Sequence, residues 1–158
     1  MQQGVQRTSL QDIADKLGIT KPALYYHFAS REQLVRSILV PLIDEGERFV
    51  EDQESRGDID ARELLEGYFD FHYRHRHDLI LVLAEISMLA DLGLIDKVLA
   101  WRDRLGKLVF GSKPTLAQAT RAVVAFGGLQ DCCLQFPDSS HKQLRAKSVD
   151  AALAALGV

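Results

Sequence analysis

The chain has 158 residues, 47% hydrophobic and 26% charged, with 11 Gly and four Pro; this is the composition of one folded domain or two small ones, and it excludes a disordered or collagen-like chain. No apolar run approaches the roughly 20 residues that span a bilayer, residues 1–4 lack the basic and apolar regions of a signal peptide, and the adjacent Cys132 and Cys133 cannot frame a disulfide scaffold, so a reducing cytoplasm is expected and a membrane is not. The net charge of −3 hides an asymmetry: residues 1–40 hold five basic and three acidic groups, whereas the remainder holds 14 basic and 19 acidic, a weak hint of a phosphate-facing end.

The elements read as helices throughout. Ser9 caps a helix over Leu10–Leu17 whose apolar positions Leu10, Ile13, Ala14 and Leu17 share a face, and Gly18 stops it. Thr20 caps a short helix over 21–28, with Pro22 in its first turn, where a missing N–H costs nothing. Ser30-Arg31-Glu32-Gln33 has the form of a capping box and opens a helix to about Ser55, with a kink expected at Pro41. After Arg56-Gly57-Asp58, helices are expected over 61–76, over 79–90 (almost wholly apolar, capped by Asp78), and from Leu94 through Val98, Trp101, Leu105 and Leu108. A loop at Gly111-Ser112-Lys113-Pro114 precedes a helix over 115–136 capped by Thr115, and Pro137-Asp138-Ser139-Ser140 precedes a last one over 142–156. The expected fold class is all-α.

Two helices joined by Gly18-Ile19-Thr20 make a helix-turn-helix. The outward residues of the second helix, Lys21, Ala23, Tyr26 and His27, are short or planar enough for a major groove about 12 Å wide, and the helix start offers N–H groups to a phosphate. The same pattern serves equally as a small hairpin within any all-α protein.

The full string Thr8-Ser9-Leu10-Gln11-Asp12-Ile13-Ala14-Asp15-Lys16-Leu17-Gly18-Ile19-Thr20-Lys21-Pro22-Ala23-Leu24-Tyr25-Tyr26-His27-Phe28-Ala29-Ser30-Arg31-Glu32-Gln33-Leu34 resembles the DNA-binding signature of the TetR family of repressors. The resemblance implies an N-terminal helix-turn-helix domain, 1–36, and a C-terminal helical domain, 37–158, that binds a ligand and forms a homodimer. It places Lys21, Pro22, Ala23 and Tyr26 against bases and Ser9, Tyr25, His27 and Arg31 against phosphates, with Thr20 at the helix start and Gln11 at a position that sometimes reaches a base edge. Ile13, Ala14, Leu17, Ile19, Leu24 and Phe28 become core, with Leu34 beneath. The family has a further helix of about four turns before this motif. Here only residues 1–5 precede Gln6-Arg7-Thr8, so either the sequence is a truncated view of a longer protein, the expectation favoured, or this copy binds DNA poorly.

Other constellations are weighed against plainer alternatives. His72, His75 and His77 with Asp70 and Asp78 contain metal-ligand types, but His77 points away from the other two, and a solvated helix end is the expected reading. Cys132 and Cys133 point apart on a helix and read as packed thiols. Gly127-Gly128 costs about 1 kcal/mol per glycine against alanine in a helix interior, which close approach of a second backbone would offset. Apolar faces on four helices leave room for an effector cavity, with Phe69, His72, Leu83, Ile86, Trp101, Leu105, Phe126 and Gln130 as candidate lining and Glu85 as a polar anchor. For any one of these, plain core packing is the simpler role. The resulting expectation is a ligand-responsive repressor that binds double-stranded operator DNA as a homodimer and responds to a small-molecule effector, with no cofactor and no catalytic residues. The alternatives are a dimeric small-molecule-binding protein that has lost DNA binding, or a metal- or thiol-dependent enzyme.

Overall fold

In the computed structural model, residues 10–18, 20–79, 90 and 94–158 are described, and among them every regular element is helical. The helices are α1 (Leu10–Leu17), α2 (Lys21–His27), α3 (Arg31–Ser55), α4 (Ala61–Arg74), α5 (Leu94–Phe110), α6 (Leu116–Gln135) and α7 (His141–Leu156). A side-chain oxygen marks most starts: Thr20, Ser30, Asp60, Thr115 and Ser140 each accept from the backbone N–H three residues on. At Thr115 the side chain of Gln118 returns the bond, completing a capping box. At Ser30 the return differs from expectation, because Gln33 Oε1 accepts from the N–H of Ala29 at 2.6 Å, one residue further back. Gly18 ends α1 at φ 66°, a conformation that other residues adopt at a cost.

Two expectations are corrected. The helix expected over 61–76 ends at Arg74, with His75 as its cap. Asp78 does not cap the next helix: residues 76–79 are already helical, Leu79 N–H donates to the His75 carbonyl at 3.0 Å, and the Asp78 carboxylate lies 3.2 Å from the His75 ring instead. A nearby imidazole outcompeted the local backbone. The rest of the apolar segment expected over 79–90 lies outside the described residues, apart from Leu79 and Ala90.

The apolar residues form two cores. Ala14 and Leu24 are buried in a small one, with Phe28 and Leu34 partly buried against them. The larger core begins one residue later, at Val35 and Leu39, and takes in Leu64, Leu65, Phe69, Leu105, Phe126, Leu129 and Leu156. Consecutive helical residues point about 100° apart, so α3 turns Leu34 to the head and Val35 to the body. α6 and α7 pack as a pair, α4 lies across both, and α5 packs on α6 and on α3. Each fully buried Leu or Phe contributes about 1.5–3 kcal/mol, so among the described residues most of the burial energy lies in the larger core.

Candidate nucleic-acid interface and effector core

The turn between α1 and α2 sets the head. Gly18 redirects the chain, Thr20 Oγ1 holds the first turn of α2 through Ala23 N–H at 3.3 Å, and Leu24 and Phe28 anchor its inner face. What remains outward is Pro22, Ala23, Tyr25, Tyr26 and His27, all exposed. Tyr26 is 87% exposed, and Tyr25 on the flank is 43% exposed. The Tyr26 and His27 rings meet edge to face at 5.2 Å, which orders two exposed side chains without burying either. Gln11 is half-buried and donates to Asp15 at 2.6 Å. Lys21 and Arg31 open α2 and α3, though their side chains, with those of Ile13 and Leu17, lie outside the description; Ser9 and Ile19 lie outside the described residues.

In the body, Phe69, Trp101, Leu105 and Phe126 share the large core, and His72 is buried beside them. Phe69 stacks on Tyr73, His72 lies 4.1 Å from the Tyr68 ring, and Trp101 turns toward α3. Two cavities among the described residues, of about 380 and 150 Å3, are lined by other residues. Leu83, Glu85 and Ile86 lie outside the described residues.

Two polar side chains that sequence reasoning missed, Arg102 and Tyr68, join this core beside the expected His72 and Gln130. Gln130 Oε1 accepts from Arg102 Nη2 at 2.5 Å, and Arg102 also bonds the buried Tyr68 hydroxyl. The Arg102 Nε is buried without a partner among the described residues. Burial pushes the Tyr68 phenol up and the His72 imidazole down, to about 4. The neutral His72 therefore donates from Nδ1 to the Tyr68 carbonyl, 2.9 Å away. Tyr68 and His72 stand one helical turn apart, a spacing visible in sequence; the distant Arg102 was not.

A second polar group ties α5 to α3. Trp101 Nε1–H donates to Glu47 Oε2 at 2.7 Å, and Arg104 bonds both Glu47 and Glu54. Hydrogen bonds from Arg104 hold both carboxyls below the ordinary glutamate value, and those bonds raise the guanidinium in turn.

The remaining constellations separate. His75 lies between Glu45 and Asp78, at 3.0 and 3.2 Å, while His72 turns inward. Cys133 is buried and its thiol is pushed up to about 12, the wrong direction for a nucleophile; Cys132 is half-buried and free. No helix of the described residues is long and apolar enough to cross a membrane.

Residues 1–38 match the family model of bacterial regulatory proteins, tetR family. The HTH-type transcriptional regulator TtgR of Pseudomonas putida is 37% identical over 57 residues, 36% of this chain and 27% of that protein. The HTH-type transcriptional repressor KstR2 of Mycolicibacterium smegmatis is 44% identical over 41 residues, 26% and 20% of the two chains. These alignments thus span about a quarter of the curated relatives' length. The likeness in fold runs further. A crystal structure from Rhodococcus sp. assigned to the TetR family matches 98% of this chain and 91% of its own, at TM-score 0.64 and 18% identity. The TetR-family regulator PfmR of Thermus thermophilus matches 96% and 89%, at TM-score 0.59 and 21% identity. The helix-turn-helix segment of this chain is thus similar to the tetR family model, and its helices follow the fold of TetR-family structures almost from end to end.

Proposed function

We propose that the chain is a DNA-binding transcriptional regulator of the cytoplasm, a repressor that leaves its operator when a small molecule binds. The observation that carries this is Tyr26. A large aromatic side chain, 87% exposed in the last turn of a seven-residue helix, buries almost nothing in the fold. It sits in the segment that matches the family model, and it is suited to enter a groove. In this reading residues 1–36 read DNA and 37–158 form the effector-binding and dimerisation domain; the change of core between Leu34 and Val35, close to that boundary, supports it. Tyr26, Lys21, Pro22 and Ala23 face bases; Tyr25, His27, Arg31 and Ser9 hold phosphates, with Thr20 and Gln11 at the edges of the contact.

The effector enters among Phe69, His72, Phe126 and Gln130, where Arg102 and Tyr68 supply polar recognition. From there α5 reaches α3 through Trp101 and Arg104, and α3 runs unbroken to the head. A ligand that favours one placement of α5 therefore shifts the spacing of two recognition helices in a dimer.

The test is an operator shift at two salt concentrations, with a candidate effector titrated with and without DNA. Affinity for operator should fall steeply with salt. Coupling is reciprocal, so operator should weaken the effector by the factor by which the effector weakens operator. A dissociation constant for effector that ignores operator would remove the inducible-repressor reading for that compound. Salt-independent or absent DNA binding, with a dimer and a bound ligand intact, would favour a ligand-binding protein without DNA reading.

A further inference from the structure

Residues of α3 and α4, with Arg145 of α7, line a cavity of about 380 Å3. Its floor is aromatic. Phe49 and Phe71 stack with ring centroids 6.3 Å apart and planes 11° apart. Gly67 makes this possible, since a Cβ there would stand 3.0 Å from Phe49 Cε2. The walls are charged, five carboxylates against three guanidinium groups, a formal excess of two negative charges. Each arginine is already held: Arg56 by Asp52 and Glu63, both at 2.9 Å, Arg74 by Glu45 at 2.5 Å, and Arg145 by Glu66 at 3.1 Å and Asp70 at 3.0 Å.

The acceptors are not used up to the same degree. Asp52, Glu63, Glu66 and Asp70 each engage one oxygen in these ion pairs. Gln53, only 6% exposed, also lines the cavity. Its amide N–H donates to Asp52 at 3.3 Å, and no hydrogen bond among the described residues engages its amide oxygen. An amide oxygen has two lone pairs to offer, and this one borders an open space.

We propose that this groove is a binding site for a small organic cation, a planar amidine or amine whose body lies on Phe49 and whose N–H groups reach the Gln53 oxygen and the spare carboxylate oxygens. An aromatic face, a surplus of negative charge and spare acceptors all select for a cation with N–H donors. An anion would face the five carboxylates, and the one arginine donor here without a hydrogen bond, Arg145 Nε, is buried against Asp70. A bare divalent ion wants six or more converging oxygens, which an aromatic floor does not supply. The volume suits a small molecule. None of the residues assigned above to the effector lines this groove, so the site is separate from that one. Its occupant would bridge α3 to α4 and hold the helix that carries the head.

The experiment is calorimetric titration of the full chain, without DNA, using benzamidine and its neutral and anionic counterparts of the same shape, benzamide and benzoate. Benzamidine should bind about tenfold or more tightly than benzamide, more weakly as salt rises, and benzoate should give no heat. Glu66→Gln and Phe49→Leu should each weaken benzamidine by about fivefold or more, with far-UV circular dichroism confirming that each variant is folded. Equal binding of benzamide, preference for benzoate, or no benzamidine binding up to about 10 mM overturns the proposal. So does benzamidine binding that neither substitution alters, which would place it elsewhere. The comparison of the three probes on the unsubstituted chain stands even if a variant fails to fold. Because no operator is present, the outcome is independent of whether the chain represses.

Discussion

A methyl group placed on Gly46 would lie 2.5 Å from Cη2 of Trp101, so the indole occupies the space that any other residue at position 46 would take. α3 and α5 therefore meet at a contact that one carbon atom disrupts. Gly46→Ala should lower stability by about 1–3 kcal/mol through overpacking, partly offset by up to about 1 kcal/mol of helix propensity. Urea unfolding followed by the fluorescence of Trp101, the single tryptophan, measures it. Combining Gly46→Ala with Trp101→Leu should recover part of the loss, because the two changes share one contact. Additive effects would show that Trp101 yields without strain.

The same junction should weaken in acid. Arg104 holds the carboxyls of Glu47 and Glu54 below their ordinary value of 4.5. A carboxyl depressed in the folded state stabilises above its unfolded pKa, and that contribution is lost as pH falls through the folded value. Both side chains are about a third exposed, so solvent screens much of the effect. Arg104→Met should destabilise at pH 7, and its stability should converge on that of the unsubstituted chain below pH 4.5. A difference that persists undiminished at the lowest pH would mean that Arg104 acts by packing alone.

His72 should impose a second, separate pH dependence of the opposite chemical origin. Its ordinary value of 6.5 is pushed down to about 4 by burial. Between those limits the unfolded chain takes up a proton that the folded chain refuses, so stability is complete above pH 6.5 and falls as pH drops toward 4. The slope contributed is at most about 1.4 kcal/mol per pH unit. His72→Phe should flatten the profile over this window and leave the region below it to Glu47 and Glu54. An unchanged slope from pH 6.5 to 4 would show that the ring is hydrated when folded.

Local rules carried most of the fold. Thr20, Ser30, Thr115 and the stop at Gly18 are legible because a cap needs only the chain within four residues. Asp78 shows where such a rule fails: its preference for a cap lost to the His75 ring, whose position depends on how α4 ends. The head's outward residues were legible too, since Leu24 and Phe28 fix which way Tyr26 must point. Trp101 bonding Glu47 and Arg102 bonding Gln130 were not, because each joins residues far apart in the chain through the packing of helices. The α3–α4 groove was invisible for the same reason. Its residues are ordinary surface charges until packed helices bring them together around Phe49.

Operator recognition should divide along the faces of α2. Tyr26→Ala should relax preference at one or two base pairs, with stability unchanged, since the side chain is 87% exposed. Lys21→Ala should do likewise. Tyr25→Ala and Arg31→Ala should weaken binding to every operator variant alike, and Arg31→Ala should reduce the salt slope by about one. Binding assays across a set of single-base operator variants, each at two salt concentrations, distinguish the two patterns. Uniform losses from all four substitutions would mean that α2 positions the protein and that sequence is read elsewhere.

The outward face of α6 leads to the last prediction. Leu116, Val123 and Val124 are 81%, 57% and 62% exposed, an apolar stripe that a solitary protomer has no reason to keep. Gly128 stands beside this stripe, and a Cβ there would meet nothing within 4 Å. Packing within the protomer therefore does not explain the glycine, although a Cβ on its neighbour Gly127 would stand 3.6 Å from Nη1 of Arg102. A second copy related by a two-fold axis would cover the stripe and bring another backbone close to Gly128, with α6 and the small residues of α7, Ala151 and Ala155, forming the seam. A Cβ at Gly128 meets nothing within 4 Å in the protomer, so Gly128→Leu at high dilution should unfold no earlier than the unsubstituted chain, the glycine's helix-propensity cost of up to about 1 kcal/mol being removed. In sedimentation at rising concentration it should dimerise about tenfold or more weakly, because added side chains force the two backbones apart. Dimerisation of unchanged affinity would place the interface away from Gly128 and leave the exposed valines without a partner.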